Sequence, residues 1–241
     1  MSSAIILAAG KGTRMGASVP KPLVEVGGRP MILRLIDTLR GAGVQTIAAV
    51  IGHGAEQMRA ALPDDVLTSL QEVRSGTADA VMVAEGIVPV GGAVLVLVGD
   101  SPLITAGSLR ALLAHRRSTG AACAFLTADF ARSFPYARVI RGEDGRVSSC
   151  IEERDCTPQQ AQLTEYLASH YAFDAEKLWA YLPGLPRHPD TGERYLTDII
   201  GAMLSAGERV EAVSIACWQE LVGLNTPADV AWAEGMLSGA D

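Results

Sequence analysis

Lys11, Arg14 and Lys21 place three cations within an eleven-residue span whose loop also carries Gly10 and Gly12, in the stretch AIILAAGKGTRMGASVPKPL (residues 4–23). Such a loop suits an anion. Glycines that accept positive φ let backbone N–H groups from Gly10 to Thr13 approach a phosphate closely, and the small Ala8 and Ala9 leave room for a flat base or a sugar. Taken alone, a single Gly-Lys-Gly is equally an ordinary turn with solvated charges. Pro20 and Pro22 flank Lys21, remove two backbone donors and restrict φ, so an extended segment that aims this lysine is expected.

Two further stretches hold polar groups suited to the same ligand. Gln71 offers an amide donor and a carbonyl acceptor, which matches the imide edge of uracil, and Gly76 permits close backbone approach. Ser75 or Thr77 would otherwise simply cap the helix that follows. Asp100 stands just past the six-residue apolar run AVLVLV, where it reads as a hard oxygen ligand for Mg²⁺, with a helix cap as the alternative. His53, in Gly52-His53-Gly54, has no visible partner and reads as a turn histidine at a strand end.

The elements that must position these residues follow from apolar periodicity. Ile5 to Leu7, residues 46–51 and residues 93–98 are apolar runs without alternation, as in parallel strands buried on both faces. Residues 31–43 and about 107–117 show helical spacing, and helices are also expected at 55–63, 78–87, 175–185, after Thr197 and at 228–237. Strands are expected at 121–127 and 165–174, with a final long one over 210–218. Residues 136–141 and 146–153 alternate around Gly142-Glu143-Asp144-Gly145 and read as a β-hairpin, able to form a lid or wall at the sheet's edge. In such a sheet, ligands bind beyond the carboxyl ends of the strands, where Gly10 and Asp100 fall.

The 241 residues accommodate one large α/β domain, 1–241. A net charge of −7 and a pI near 5.1 argue against nucleic acid as a partner, so cations must be concentrated locally to hold a phosphate. The start of the chain lacks the pattern of a signal peptide, and no run approaches the roughly 18 apolar residues of a membrane helix, so a cytoplasmic protein without membrane contact is expected. Cys123, Cys150, Cys156 and Cys217 lack CxxC spacing and read as reduced, non-catalytic residues.

LAAGKGTRM followed by PKPL resembles the signature of the nucleotide-sugar pyrophosphorylases, which transfer a nucleoside monophosphate onto a sugar 1-phosphate. Several later stretches are most similar to the uridylyltransferase domain of bacterial N-acetylglucosamine-1-phosphate uridylyltransferases. The resemblance implies a Rossmann-like, doubly wound, mainly parallel sheet with the hairpin inserted over the ligand edge. It implies that Ala8, Ala9, Gly10, Lys11, Gly12, Thr13, Gln71, Gly76 and Thr77 hold UTP. Arg14, Lys21 and Asp100 would serve the transfer, and Asn225, otherwise a helix cap, would join Asp100 on Mg²⁺. Glu152, Tyr195 and Thr197, with Glu193 nearby, fall where the family contacts the amino sugar.

The sequence departs from the pattern at the acceptor end. Ala137 stands for the glycine of a YGR-type segment, and Leu167-Ala168-Ser169 replaces an NTG or NSG segment, so an acceptor other than N-acetylglucosamine 1-phosphate is expected. Residues 1–241 contain no hexapeptide repeats, so the acetyltransferase half of those enzymes, and the trimer it builds, are not implied; monomer and homodimer both remain open. The alternatives are a cytidylyl- or guanylyltransferase acting on another sugar, cyclitol or phosphonate, and a non-catalytic nucleotide-binding module.

Overall fold

The computed structural model describes residues 2–16 and 19–239, so Ala17 and Ser18 of the opening loop lie outside the described residues. The chain begins with β1 (Ser2–Ala8). The loop after it makes 3₁₀ turns at Thr13–Met15 and Lys21–Leu23, followed by a small hairpin of β2 (Glu25–Val26) and β3 (Arg29–Pro30). Then come α1 (Met31–Gly41), β4 (Thr46–Ile51), α2 (Ala55–Ala61), β5 (Leu67–Leu70), α3 (Thr77–Met82) and β6 (Ala93–Val98). The second half runs α4 (Ala106–Thr119), β7 (Cys123–Asp129), β8 (Ala137–Arg141), β9 (Val147–Ile151), β10 (Glu165–Asp174), α5 (Ala175–Tyr181), α6 (Asp198–Ser205), β11 (Val210–Ser214) and α7 (Pro227–Ser238).

Among the described residues one sheet has the order β11-β7-β10-β6-β1-β4-β5, with β8 paired to β10 and β9 to β8. β1 lies parallel to β4 and β6, β4 to β5, and β7 to β11, while β10 enters antiparallel between β6 and β7. Burial on both faces explains the unbroken apolar run of β1. Ala4, Ile6 and Ala8 face a layer containing Ile32 and Leu35 of α1 and Leu109 of α4, whereas Ile5 and Ala9 face Val81 of α3 and Ile199 of α6.

The expected elements all exist, with changed bounds. α1 ends at Gly41, α3 stops at Met82, and β11 runs only from Val210 to Ser214, after which Trp218 opens a 3₁₀ turn. Edge strand β5 and the β2–β3 hairpin are additions: β5 is too short and too mixed in polarity for periodicity to reveal. Lys21 begins a 3₁₀ turn in place of the extended segment expected, although Pro20 before it is extended, at φ −51° and ψ 139°.

The register of β10 shifts between Leu167 and Tyr171, and Ser169 adopts φ +62° within that irregularity. Next to it His170 is fully buried, and neither ring nitrogen has a hydrogen-bond partner among the described groups. Burial pushes its pKa from 6.5 down to about 4, with the Asp100 carboxylate opposing the shift. A depressed base keeps its stabilising contribution above the unfolded value, and loses it as pH falls from about 6.5 toward 4, because only the unfolded chain then takes up the proton. Roughly 2 kcal/mol should be lost between pH 7 and pH 5 at this residue. Urea midpoints at the two pH values, compared with those of His170→Leu, measure it; equal pH dependence in both proteins rules the effect out.

Candidate functional site

Beyond the carboxyl ends of β1 and β6 the loops enclose a cleft of about 380 Å³. It is lined by Ala8, Ala9, Gly10, Gly12, Thr13, Arg14, Lys21, Gln71, Gly76, Thr77, Asp100, Asn225 and Tyr195. These residues come from five separated parts of the chain, and the parallel sheet brings the ends of β1, β5 and β6 to one edge. Lys11 is exposed and stands outside the lining.

Lys21 is the centre of the polar network. Its Nζ donates to the Asp100 carboxylate and to Asn225 Oδ1 at 2.8 Å, and Arg14 Nη2 donates to the same Asn225 oxygen at 2.9 Å. Crowding holds the lysine stem: a Cβ on Gly12, which sits at φ +58°, would lie 2.4 Å from Lys21 Cβ. The Gly52-His53-Gly54 turn backs the loop. His53 N donates to Ala9 O at 3.4 Å, and a Cβ on Gly54 would meet Pro20 Cγ at 2.3 Å. These glycines therefore support the loop's shape, while the His53 side chain is exposed.

Asp100 and Asn225 present hard oxygen donors to one point, already matched to a cation in the ammonium of Lys21. Two protein oxygens fit an ion such as Mg²⁺, which takes few protein ligands and shares the rest of its coordination with phosphates and water. No cluster of three or more His, Cys, Asp or Glu side chains suited to a metal occurs among the described residues.

Gln71 is buried, and one of its amide hydrogens is donated to Gly76 O at 3.2 Å. Its second amide hydrogen and its carbonyl oxygen remain for a ligand. Gly76 sits at φ +115°, and a Cβ there would fall 2.0 Å from Arg194 O. The Thr77 hydroxyl accepts from Leu196 N at 2.8 Å, so Thr77 ties residues 71–77 to the segment that carries Glu193 and Tyr195. Arg74 also lines the cleft. The sequence reading did not select it, although a cation two residues before Gly76 was the available signal.

The residues expected to meet the acceptor divide into two groups. Tyr195 reaches the cleft beside Glu193, to which its hydroxyl donates at 2.8 Å, and Arg154 lies over its ring at 4.4 Å. Glu152 and Thr197 stand outside the lining as a pair, the Thr197 hydroxyl donating to Glu152 at 2.6 Å. Burial raises the Glu152 pKa, and that hydrogen bond opposes the rise. Ala137 and Leu167 are cross-strand partners, 3% and 2% exposed, packed in the core. Neither side chain lines the cleft. None of the hairpin residues lines it either.

Comparison with known proteins accords with this geometry. The model of the MobA-like NTP transferase domain matches residues 4–210. The chain is 40% identical over 237 residues to the bifunctional protein GlmU of Clostridium novyi, covering 98% of this chain and 52% of that protein. It is 38% identical over 232 residues to GlmU of Exiguobacterium sibiricum, covering 96% and 52%. The chain thus spans about half the length of the curated relatives it matches. A solved structure from Bacillus anthracis, assigned as a glucose-1-phosphate thymidylyltransferase, superimposes with a TM-score of 0.80 at 18% identity over 98% of this chain and 95% of that one, which bears on fold alone. With a strand-end cleft of this kind and a domain match over most of its length, the chain belongs to the MobA-like NTP transferase domain family, a family of nucleotidyltransferases.

Proposed function

We propose that this protein joins a nucleoside triphosphate, UTP first among them, to a sugar 1-phosphate and releases pyrophosphate. The single observation carrying this reading is the convergence of Lys21, Arg14, Asp100 and Asn225 in a cleft that Gln71 and Gly76 also line. An oxygen of the acceptor phosphate attacks the α-phosphorus in line; a P–O bond forms, the bond to the bridging oxygen breaks, and pyrophosphate departs with its electron pair. Such transfer depends on positioning and on charge stabilisation more than on covalent chemistry by the protein. Lys21 and Arg14 offset repulsion between the two anions, and backbone amides from Gly10 to Thr13 hold the triphosphate. Mg²⁺, held by Asp100 and Asn225, would supply further charge neutralisation. No general base is needed, since the attacking oxygen is already ionised.

Gln71 supports a pyrimidine with an imide edge, and Glu193 and Tyr195 support a hydroxyl-rich acceptor. Ala137 and Leu167, apolar where the resembling enzymes carry glycine and asparagine, favour an acceptor other than N-acetylglucosamine 1-phosphate. Their effect would pass through the shape of the wall, because both side chains are core residues. We read residues 1–241 as one catalytic domain working in the cytoplasm.

The test is a matrix of four nucleoside triphosphates against a panel of sugar 1-phosphates, read by pyrophosphate release with Mg²⁺. The UTP row should dominate, and removal of divalent metal should abolish turnover. A row confined to CTP or GTP would overturn the assignment of Gln71, and a blank matrix would favour a non-catalytic nucleotide-binding module. Strong preference for N-acetylglucosamine 1-phosphate over the panel would remove the argument from Ala137 and Leu167.

A further inference from the structure

Asn225 lies on a short segment whose backbone amides are all engaged. Leu224 N donates to Asp100 O at 2.9 Å, and Asn225 N and Thr226 N each donate to Asp229 Oδ2 at 2.8 Å. Those contacts bind the segment to the end of β6 and to the first turn of α7. Gly223 N instead donates to the hydroxyl of Tyr136 at 2.9 Å, 87 positions away. Gly223 packs closely on Asp100, since a Cβ placed there would lie 3.0 Å from Asp100 Oδ1. Its carbonyl accepts from Asn225 Nδ2 at 2.9 Å, which turns Asn225 Oδ1 toward Lys21 and Arg14. One phenol oxygen therefore anchors the peptide that orients the Asn225 side chain.

Tyr136 is itself held firmly. Its ring stacks on Phe134, with centroids 5.4 Å apart and planes 4° from parallel, and Phe130 meets its edge at 5.8 Å. The same aromatic group reaches both flanks of the Asn225 segment, since Phe130 and Phe134 contact Trp218, and Trp218 stacks on Trp232 of α7. Arg132 lies over Phe134, Trp218 and Trp232 and closes the cluster on its outer side. An aromatic ring packed on several sides places its hydroxyl with little freedom. Burial, together with the Asp100 and Asp229 carboxylates, raises the phenol's pKa well above its ordinary value, against the opposing hydrogen bond from Gly223.

We infer that Tyr136 is a positioning residue for the metal-binding pair: its hydroxyl, through Gly223, sets the placement of Asn225 Oδ1 against Asp100. The inference rests on the proposed nucleotidyl transfer. It assigns Tyr136 no contact with either substrate; the residue acts only through the peptide that it anchors. Partners that orient a metal's ligands commonly contribute about 10–100-fold in metal affinity or activity, and a single neutral hydrogen bond should fall at the low end of that range.

Tyr136→Phe keeps the ring and its stacking and removes the acceptor alone, so folding is expected to survive. Two readouts are required: binding of Mn²⁺ to the protein with its nucleotide, followed by electron paramagnetic resonance, and the metal dependence of pyrophosphate release. The expected result is a weakening of Mn²⁺ binding by about tenfold, a matching rise in the metal concentration needed for half-maximal rate, an unchanged KM for nucleotide and recovery of the rate at high metal. Unchanged Mn²⁺ binding in Tyr136→Phe, with wild-type enzyme active, overturns the inference and leaves the proposed reaction standing. A fall in rate that excess metal fails to restore, accompanied by a lowered Tm, also overturns it, because the role is then structural. Wild-type protein that neither turns over nor binds Mn²⁺ with any nucleotide removes the proposed reaction, and this inference with it.

Discussion

Lys21→Ala is expected to lower kcat by about 10²–10³ while leaving the fold intact, the loss typical of removing one electrostatic stabiliser from an enclosed site. The side chain is 11% exposed and donates to both Asp100 and Asn225, so no other group among the described residues stands in its place. Arg14 reaches Asn225 and makes no bond to Asp100, which limits how far it can substitute. Asp100→Ala should fall by a similar factor, because it removes a carboxylate from the convergence point. Rates of pyrophosphate release at saturating substrate measure the effect, and far-ultraviolet circular dichroism checks the fold. Turnover near that of wild type in either variant would take that residue out of the chemistry. Since Pro20 and Pro22 flank Lys21 and Gly12 crowds its stem, Lys21→Arg should restore little of the rate.

Gly76→Ala is expected to damage both halves of the site at once. Gly76 holds φ +115°, a region that costs an alanine strain, and the new methyl would lie 2.0 Å from Arg194 O and 2.6 Å from Arg194 N. Those atoms belong to the segment that closes on residues 75–78: Arg194 N donates to Ser75 O at 2.9 Å and Ala78 N to Arg194 O at 3.1 Å. Asp79 extends the closure through ion pairs with Arg187 at 3.0 Å and Arg194 at 3.3 Å. Backbone strain of about 1–3 kcal/mol together with the parted contacts should cost roughly 3–5 kcal/mol of stability. The urea midpoint reads that loss. Any folded fraction should also show a raised KM for the acceptor, because Glu193 and Tyr195 are displaced with Arg194. A variant as stable as wild type would mean that the two segments separate at no cost, contrary to the packing around Gly76.

The residues gathered around Lys21 in the cleft were legible because their cues are local. Gly10, Gly12, Lys21 between two prolines, and Asp100 at the end of AVLVLV each stand out within a few residues, and unbroken apolar runs marked β1, β4 and β6. The placement of Ala137, Glu152, Leu167 and Thr197 was not, because it depends on which strands become neighbours. Leu167 was expected near the sugar and lies in the core, in the layer that holds Val139 and Phe125. The antiparallel direction of β10 leaves no trace in residues 165–174, which would read the same in either direction.

By itself the sequence determined a layered α/β sheet, a cationic glycine loop at a strand end and a carboxylate on a neighbouring strand end, because each is dictated by the periodicity or conformational range of adjacent residues. Only the tertiary structure decided that Lys21 meets Asp100 and Asn225, that Gly76 must be glycine because Arg194 crosses it, and that Tyr136 anchors Gly223. Those contacts join residues 79 to 204 positions apart or oppose backbone groups that every residue shares, so no side-chain pattern along the chain encodes them.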